Sequence, residues 1–183
     1  MTSAGEFVTQ VRLEDDFWGP VREIIRQEAI PYQWKALNDQ LPDTEPSHCM
    51  RNFRVAAGKE AGGHGGCVFQ DSDVGKWLEA AAYSLRWHPD PELEKTMDGA
   101  IDDIVAAQQP DGYLDTYYII NGLEKRWTNL KDNHELYIAG HLLEGAVAYY
   151  QATGKRTLLD AMIRVVAHID SVLGPEEDRK SVV

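Results

Sequence analysis

Apolar residues recur at helical spacing over much of the chain, and the longest such stretch follows Asn133. After a polar first turn that contains His134 and Glu135, the sequence is apolar at every third or fourth position through Tyr150. This spacing predicts an amphipathic helix, and Asn is a favoured residue at the cap position before a helix. We therefore predict a buried helix, capped by Asn133, whose polar end carries His134 and Glu135.

An earlier part of the chain repeats this pattern. Residues 78–110 align with residues 143–175 at a constant separation of 65 positions, and each copy contains a helix, a short break and a second amphipathic helix. An internal repeat of this size is typical of stacked or toroidal arrays of helical hairpins. The alternative is chance, since any two amphipathic helices share apolar spacing. The aligned pairs are Leu78 with Leu143, Leu93 with Leu158, Met97 with Met162, Ile101 with Val166, Ile104 with Ile169, and Pro110 with Pro175.

The remaining segments predict shorter elements in an otherwise all-α fold. Alternation over residues 8–17 predicts an extended arm, and Pro20 is expected in the first turn of a helix that Pro31 kinks or restarts. A short helix is predicted over residues 52–58 and a longer one over residues 74–88. The β-prone side chains that follow the Pro-Asp-Gly turn predict a short β excursion over residues 113–127.

Charge and composition exclude several classes of partner. The net charge of −12 and the pI of about 4.8 argue against binding to nucleic-acid phosphates and to anionic membrane surfaces. No basic and apolar leader begins the chain and no run of about 18 apolar residues occurs, so we expect a soluble, cytoplasmic protein. Cys49 and Cys67 are interpreted as reduced thiols without a metal role.

Candidate polar chemistry lies in three places. Four glycines surround His64, which allows the backbone to approach another group closely, although a plain surface loop explains them equally well. Asp71, Ser72 or Asp73 can cap the helix over residues 74–88, and the carboxylates could also face the cavity of a helical toroid. His134 and His141 are about 10.5 Å apart along a helix, too far for one metal ion. Asp71, Asp73, Asp115 and Glu135 could supply a glycosidase carboxylate pair, but the sequence does not show which of them meet.

Seven segments together resemble glycoside hydrolase family 127, the β-L-arabinofuranosidase-type enzymes. The resemblance extends from about residue 8 to residue 175. It is carried by residues 30–34 (IPYQW), 68–74 (VFQDSDV), 76–79 (KWLE), 88–93 (HPDPEL) with Tyr83, 108–116 (QQPDGYLDT), 134–137 (HELY) and 140–141 (GH).

The resemblance implies an (α/α)6 barrel and a retaining enzyme that releases terminal β-L-arabinofuranose. It also implies zinc in the full-length enzyme, held by cysteines and a glutamate beyond position 183, with a zinc-bound cysteine thiolate as the nucleophile. A metal-bound thiol is deprotonated at neutral pH, which supplies that nucleophile. Neither Cys49 nor Cys67 matches these positions, so no catalytic residue or metal ligand is assigned to this chain. The substrate-binding residues that the resemblance and the motifs suggest are His134, His64, Asp71, Asp73 and Tyr137.

Taken together, the sequence predicts that residues 1–183 are the N-terminal part of an α/α-barrel glycosidase catalytic domain. Five helices of such an array would leave one apolar face open, as expected for the front part of a longer protein. We expect a small saccharide ligand and no nucleic-acid or membrane partner. We expect no hydrolysis by this part alone. A homodimer of the full-length protein is compatible with the sequence. The alternative is a free-standing helical module that binds a partner through the open face.

Overall fold

Helices and connecting loops make up the structure, a computed structural model that describes residues 15–174. Within that range there is no β-strand, which confirms the all-α class. The helices are α1 Trp18–Ile24, α2 Ile30–Leu37, α3 Cys49–Ala56, α4 Asp71–Trp87, α5 Pro91–Ala107, α6 Thr116–Asn121, α7 Leu130–Asn133, α8 Glu135–Thr153 and α9 Thr157–Leu173, with a π-helical turn over Ile25–Ala29 and a 3-10 turn over Leu123–Lys125.

Pro31 shapes the first helical segment as predicted. Helical backbone continues from residue 18 to residue 37, but a π-helical turn separates α1 from α2, and Pro31 lies in the first turn of α2. Proline has no N–H to donate to the preceding turn, so the α-helical hydrogen-bond pattern has to be restarted there. Most of the predicted extended arm, residues 8–14, lies outside the described residues.

Two helical hairpins, α4 with α5 and α8 with α9, form the larger part of the structure and confirm the predicted pair. Helices α4 and α8 lie side by side and parallel, as the contacts between them show. Lys76 lies over the ring of Tyr137 near the start of both helices, and Arg86 donates to Gln151 near their ends. Their backbones touch at two glycines. A Cβ atom built on Gly75 would be 2.7 Å from the carbonyl of His141, and one on Gly145 would be 2.7 Å from the carbonyl oxygen of Gly75.

The register of the repeat is only partly preserved in the packing. Met97 and Met162, which the alignment pairs, are both fully buried. Ile101 is 2% exposed, however, while its partner Val166 is 46% exposed. Val165 takes the inward position on α9, with 3% exposure. The hairpins are therefore equivalent as units, but a constant separation of 65 positions does not carry buried residues onto buried residues throughout.

The predicted β excursion over residues 113–127 is wrong. This segment forms α6 and a 3-10 turn instead. Asp115 caps α6 by accepting a hydrogen bond from the N–H of Tyr118 at 3.3 Å. The N–H and hydroxyl of Thr116, the first residue of α6, donate to the carboxylate of Asp71 at 2.7 and 2.6 Å. These bonds satisfy groups at the start of a helix that would otherwise lack partners, and they override the strand preference of the Tyr and Ile side chains.

One face of α8 is apolar and exposed, and we call its five residues the α8 stripe. They recur every three or four positions, which places them on one side of the helix. Leu143 is half-buried, and the other four are exposed. The stripe consists of Leu136, Gly140, Leu143, Val147 and Tyr150. A Cβ atom added to Gly140 would meet no other atom within 4 Å, so the middle of the stripe is open.

Candidate substrate-binding site

Because α4 and α8 are parallel, their N-terminal ends lie at the same end of the molecule. The loops that lead into them bring His64 and Phe69 toward α4, and Trp127 and His134 toward α8. Four of the five predicted site residues lie in the first two turns of these helices or directly before them. This end of the hairpin pair is therefore the candidate site.

His134 directly precedes α8 and has a left-handed backbone conformation, with φ of 58°. Its carbonyl accepts the first helical hydrogen bond, from Ile138 at 3.0 Å. The predicted capping role of Asn133 is wrong. Asn133 is the last residue of α7, and its side-chain amide donates to the Tyr118 hydroxyl at 2.6 Å. The left-handed conformation turns the chain from α7 directly into α8, and the half-buried ring of His134 lies at this corner.

Aromatic rings surround His134 at the entrance. The ring of Phe69 meets that of His134 edge to face at 5.4 Å, and the ring of Tyr137 lies 5.9 Å from that of His134. Tyr137 also contacts His141 at 4.5 Å. Phe69 and Tyr137 are 39% and 45% exposed, so their faces are accessible. Such rings offer flat apolar surfaces, and Tyr and His add polar atoms, a combination that suits a sugar ring.

Charged and amide side chains adjoin these rings on α4. Asp73 accepts hydrogen bonds from Gln70 at 2.7 Å and from Lys76 at 3.2 Å. Lys76 Nζ in turn lies 5.1 Å from the centre of the Tyr137 ring, within cation–π distance. Asp73 is therefore joined to the aromatic group through Lys76. The predicted cap role of Asp71 and Asp73 is wrong, since α4 begins after Gln70 and has no side-chain cap.

A cavity of about 470 Å³ opens beside Asp73 and Lys76, between α2 and α4. Its floor is apolar and includes Trp77, while its polar groups include Gln33, Ser47 and Gln70. A ligand pocket typically combines an apolar wall with a few hydrogen-bonding groups that orient the ligand. Amide, hydroxyl, carboxylate and ammonium groups all pair with the hydroxyls of a sugar.

Three carboxyl groups lie in the interior beneath the rings. Asp71, Asp115 and Glu135 are 1%, 1% and 2% exposed. Both oxygens of Asp71 are taken by Thr116, and Glu135 accepts from the Tyr113 hydroxyl at 2.6 Å and the Trp127 N–H at 2.8 Å. Of the four carboxylates that the sequence offered, these three are buried, and the charge of Asp115 interacts with those of Asp71 and Glu135, while Asp73 is more exposed. Asp71 is thus a supporting group in this structure, and nothing in its geometry favours a direct contact with sugar.

Burial dominates the ionisation of these three acids. It raises the pKa of Asp71 to about 6, although the hydrogen bonds from Thr116 oppose the rise. Burial likewise raises the pKa of Asp115 to about 8, and the neighbouring carboxylates of Asp71 and Glu135 raise it further. The pKa of Glu135 is raised by burial as well, against the hydrogen bonds from Tyr113 and Trp127. A buried acid is costly to ionise, and a second carboxylate nearby adds repulsion.

His64 occupies a separate part of the same end. Its ring meets Tyr117 edge to face at 5.2 Å, and Tyr117 contacts Tyr118, whose hydroxyl binds Asn133 beside His134. Burial lowers the pKa of His64, and the neighbouring His48 lowers it further. The structure therefore brings His134, Tyr137 and Asp73 into one group and places His64 at the far side of a chain of aromatic residues.

Several residues of the site were not singled out from the sequence. Phe69, Gln70 and Lys76 lie within the segments that carry the family resemblance, so motif membership could have suggested them. Tyr113 also lies within such a segment, but its contact with Glu135 and that of Trp127 had no signal in the sequence, because they depend on which distant segments meet. Among residues 15–174, no group of three or more His, Cys, Asp or Glu side chains could hold a metal ion. The described residues therefore do not fit a zinc site.

The helical hairpins and their polar, aromatic end agree with the class of protein that sequence comparison identifies. Residues 10–183 match the family described as "Beta-L-arabinofuranosidase, GH127 catalytic domain". The chain belongs to glycoside hydrolase family 127.

Individual relatives support this assignment. The chain is 42% identical to a non-reducing end β-L-arabinofuranosidase from Bifidobacterium longum subsp. longum, over 92% of this chain and 28% of the relative. The crystal structure of a GH127 β-L-arabinofuranosidase from Geobacillus stearothermophilus T6 matches with a TM-score of 0.88 and 58% identity, over 90% of this chain and 26% of that one. A second solved GH127 β-arabinofuranosidase matches with a TM-score of 0.78 and 34% identity, over 93% and 27%. The chain thus spans about a quarter of the length of these relatives.

Within residues 15–174, no helix is long and apolar enough to cross a membrane.

Proposed function

We propose that this chain forms part of the substrate pocket of a glycoside hydrolase that releases terminal β-L-arabinofuranose from arabinosides. The observation that carries the proposal is the ring of His134 in contact with Phe69 and Tyr137, and the cation–π contact of Tyr137 with Lys76, which lines a cavity together with Asp73. The rings provide apolar faces for the sugar, and the polar groups provide hydrogen bonds to its hydroxyls. Membership in family 127 supports arabinofuranose as the sugar.

In this proposal the described residues bind and orient the sugar and do not break the glycosidic bond. Zinc and the cysteine nucleophile would come from residues outside positions 15–174, since those positions offer no group of side chains that could hold the ion. Cys49 is fully buried, and burial raises its pKa well above the usual value, which makes it a poor nucleophile. Cys67 is exposed in the glycine-rich loop. We therefore expect no hydrolysis by the 183-residue chain alone.

Hydrolysis of p-nitrophenyl β-L-arabinofuranoside tests the proposal. It would be measured with the 183-residue chain and with the longest gene product that contains it, each with and without added zinc. We expect activity only in the longer product, and a fall in kcat/KM of roughly 10- to 100-fold on His134→Ala, as for the loss of one hydrogen bond to a ligand. The matched control is His88→Ala, which alters an exposed histidine at the opposite end of α4.

The outcomes are distinct. Turnover by the short chain would show that catalytic residues lie within it, contrary to the proposal. Unchanged kcat/KM in the His134 variant of an active longer product would remove His134 from the pocket. If neither the short chain nor the longer product hydrolyses the substrate, the alternative is favoured. That alternative is a helical interaction module, which the exposed α8 stripe supports. Sedimentation of the short chain with candidate partners would then be the next measurement.

A further inference from the structure

The rings of His64 and Tyr117 pack against each other, although one ring nitrogen of His64 has no hydrogen bond. The two rings meet at 5.2 Å and at 88° to each other. Nε2 of His64 is buried and, among the described residues, has no hydrogen-bond partner. The loop that carries His64 contains four glycines, which would leave a free loop many conformations. The position of the ring must therefore be set by the main chain on either side of it.

Asn52 holds the main chain directly after His64. Asn52 lies on α3 and is fully buried. Its side-chain amide donates to the carbonyl of Gly65 at 2.9 Å, and its Oδ1 accepts from the Gly65 N–H at 3.0 Å. A single amide thus satisfies both main-chain groups of this glycine. A Cβ atom at position 65 would be 2.7 Å from the ring of His48, so a larger residue there would displace that ring.

Asp71 holds the residue next to the second ring of the pair, Tyr117. Thr116, which directly precedes Tyr117, donates both its N–H and its hydroxyl to the buried carboxylate of Asp71. Each ring therefore neighbours a residue that a buried side chain holds by two hydrogen bonds. The two holding residues come from different helices, α3 and α4, and reach different segments. Hydrogen bonds of this kind, made away from water, fix geometry more firmly than exposed ones.

We propose that Asn52 and Asp71 are positioning residues that together set the His64–Tyr117 pair as a second wall of the sugar site, which extends from the His134 group past Asn133 and Tyr118 to this pair. The proposal rests on the proposed function for the nature of the ligand, but the arrangement of the rings can be tested without any ligand. A wall that is ordered before binding spares the cost of ordering a glycine-rich loop when the sugar arrives. Neither residue touches the ligand in this account.

Nuclear magnetic resonance of the 183-residue chain tests the arrangement directly. In the unmodified chain we expect a nuclear Overhauser effect between the rings of His64 and Tyr117, and slow exchange of the Gly65 amide. Asn52→Leu keeps the branched shape of the side chain but removes both hydrogen bonds. It should abolish the ring contact and speed Gly65 exchange by roughly tenfold or more, the factor expected for about 1.4 kcal/mol. The pKa of His64, lowered by burial and by His48, should rise toward its ordinary value as the ring becomes exposed.

Asp71 offers a conservative variant and a disruptive one. In Asp71→Asn the amide can still accept from the Thr116 N–H and donate to its hydroxyl, so the ring contact should survive. Asp71→Leu can do neither and should lose the contact. The control is Arg51→Gln, which removes more exposed bonds from the same loop, to the carbonyls of Gly63 and Ala61, and should leave the rings in place.

Each result bears on the proposal. Fast exchange of the Gly65 amide in the unmodified chain would overturn the proposal. This test needs no variant, so the proposal can be contradicted even if Asn52→Leu does not fold. A preserved ring contact in a folded Asn52→Leu or Asp71→Leu variant would overturn it too. In the longer gene product, Asn52→Leu should raise KM with a smaller effect on kcat. If the ring contact behaves as expected but KM does not change, the positioning stands and the assignment of His64 to the pocket fails.

Discussion

Replacing Gly145 with alanine is expected to destabilise the protein by about 1–3 kcal/mol, the usual cost of forcing extra atoms into a packed contact. The new Cβ atom would be 2.7 Å from the carbonyl oxygen of Gly75, and that oxygen belongs to the backbone of α4. The clash cannot be relieved by a side-chain rotation, so α4 and α8 would have to move apart. This cost outweighs the gain of up to about 1 kcal/mol that alanine normally brings to a helix interior. Urea unfolding followed by circular dichroism would measure the change.

Gly140→Ala provides the matched control on the same helix. Nothing lies within 4 Å of a Cβ atom at that position, so the substitution should be neutral or stabilising in the 183-residue chain. Equal stabilities of the Gly140 and Gly145 variants would mean that the backbones of α4 and α8 do not approach each other as closely at Gly145 as described.

The Asp115→Asn variant is expected to be more stable than the unmodified protein at pH 8, by an amount on the order of a few kcal/mol, since one pKa unit corresponds to 1.36 kcal/mol. The pKa of Asp115 rises from 3.8 to about 8 on folding, chiefly through burial. Between these values the folded state binds more protons than the unfolded state, so stability falls as the pH rises from about 4 to about 8. The amide keeps an oxygen to accept from the Tyr118 N–H and has no charge to lose.

The measurement is the free energy of unfolding at several pH values between 4 and 8. The unmodified protein should lose stability across this range faster than the Asp115→Asn variant does. Asp71 contributes in the same direction, with its pKa raised to about 6, and so leaves part of the slope in the variant. Asp102→Asn, at an exposed position on α5, is the matched carboxylate-to-amide control. Parallel slopes for the unmodified protein and the Asp115 variant would contradict the prediction.

The helices that the sequence predicts well are those whose own residues decide them. Pro31 restarts the first helical segment because proline lacks an N–H, wherever the rest of the chain lies. The pairs of long helices, α4 with α5 and α8 with α9, follow from apolar spacing along each one. α6 was missed because its start depends on Asp71, which is 45 positions from Thr116. A local preference for strand has no access to such a contact.

The site divides in the same way. His134, Tyr137 and Asp73 were found from motif membership, and they do lie at one end of the molecule, although their contact with sugar stays a prediction. Asp71 belongs to the same motif but faces inward, because the first turn of α4 places residues 71 and 73 in different directions. The roles of Asn52 and Trp127 could not be predicted. The Asn52 side chain binds the main chain of Gly65, and the main-chain N–H of Trp127 donates to Glu135, and the sequence does not show the path of either loop.

The α8 stripe and the net charge of the chain have opposite effects on self-association. It extends over about 21 Å of helix, at 1.5 Å per residue, and offers a long apolar surface to any other copy in solution. Two copies that met along it would also bring together two molecules of net charge −12. We therefore expect electrostatic repulsion to oppose self-association at low ionic strength, and added salt, which shortens the range of that repulsion, to favour it.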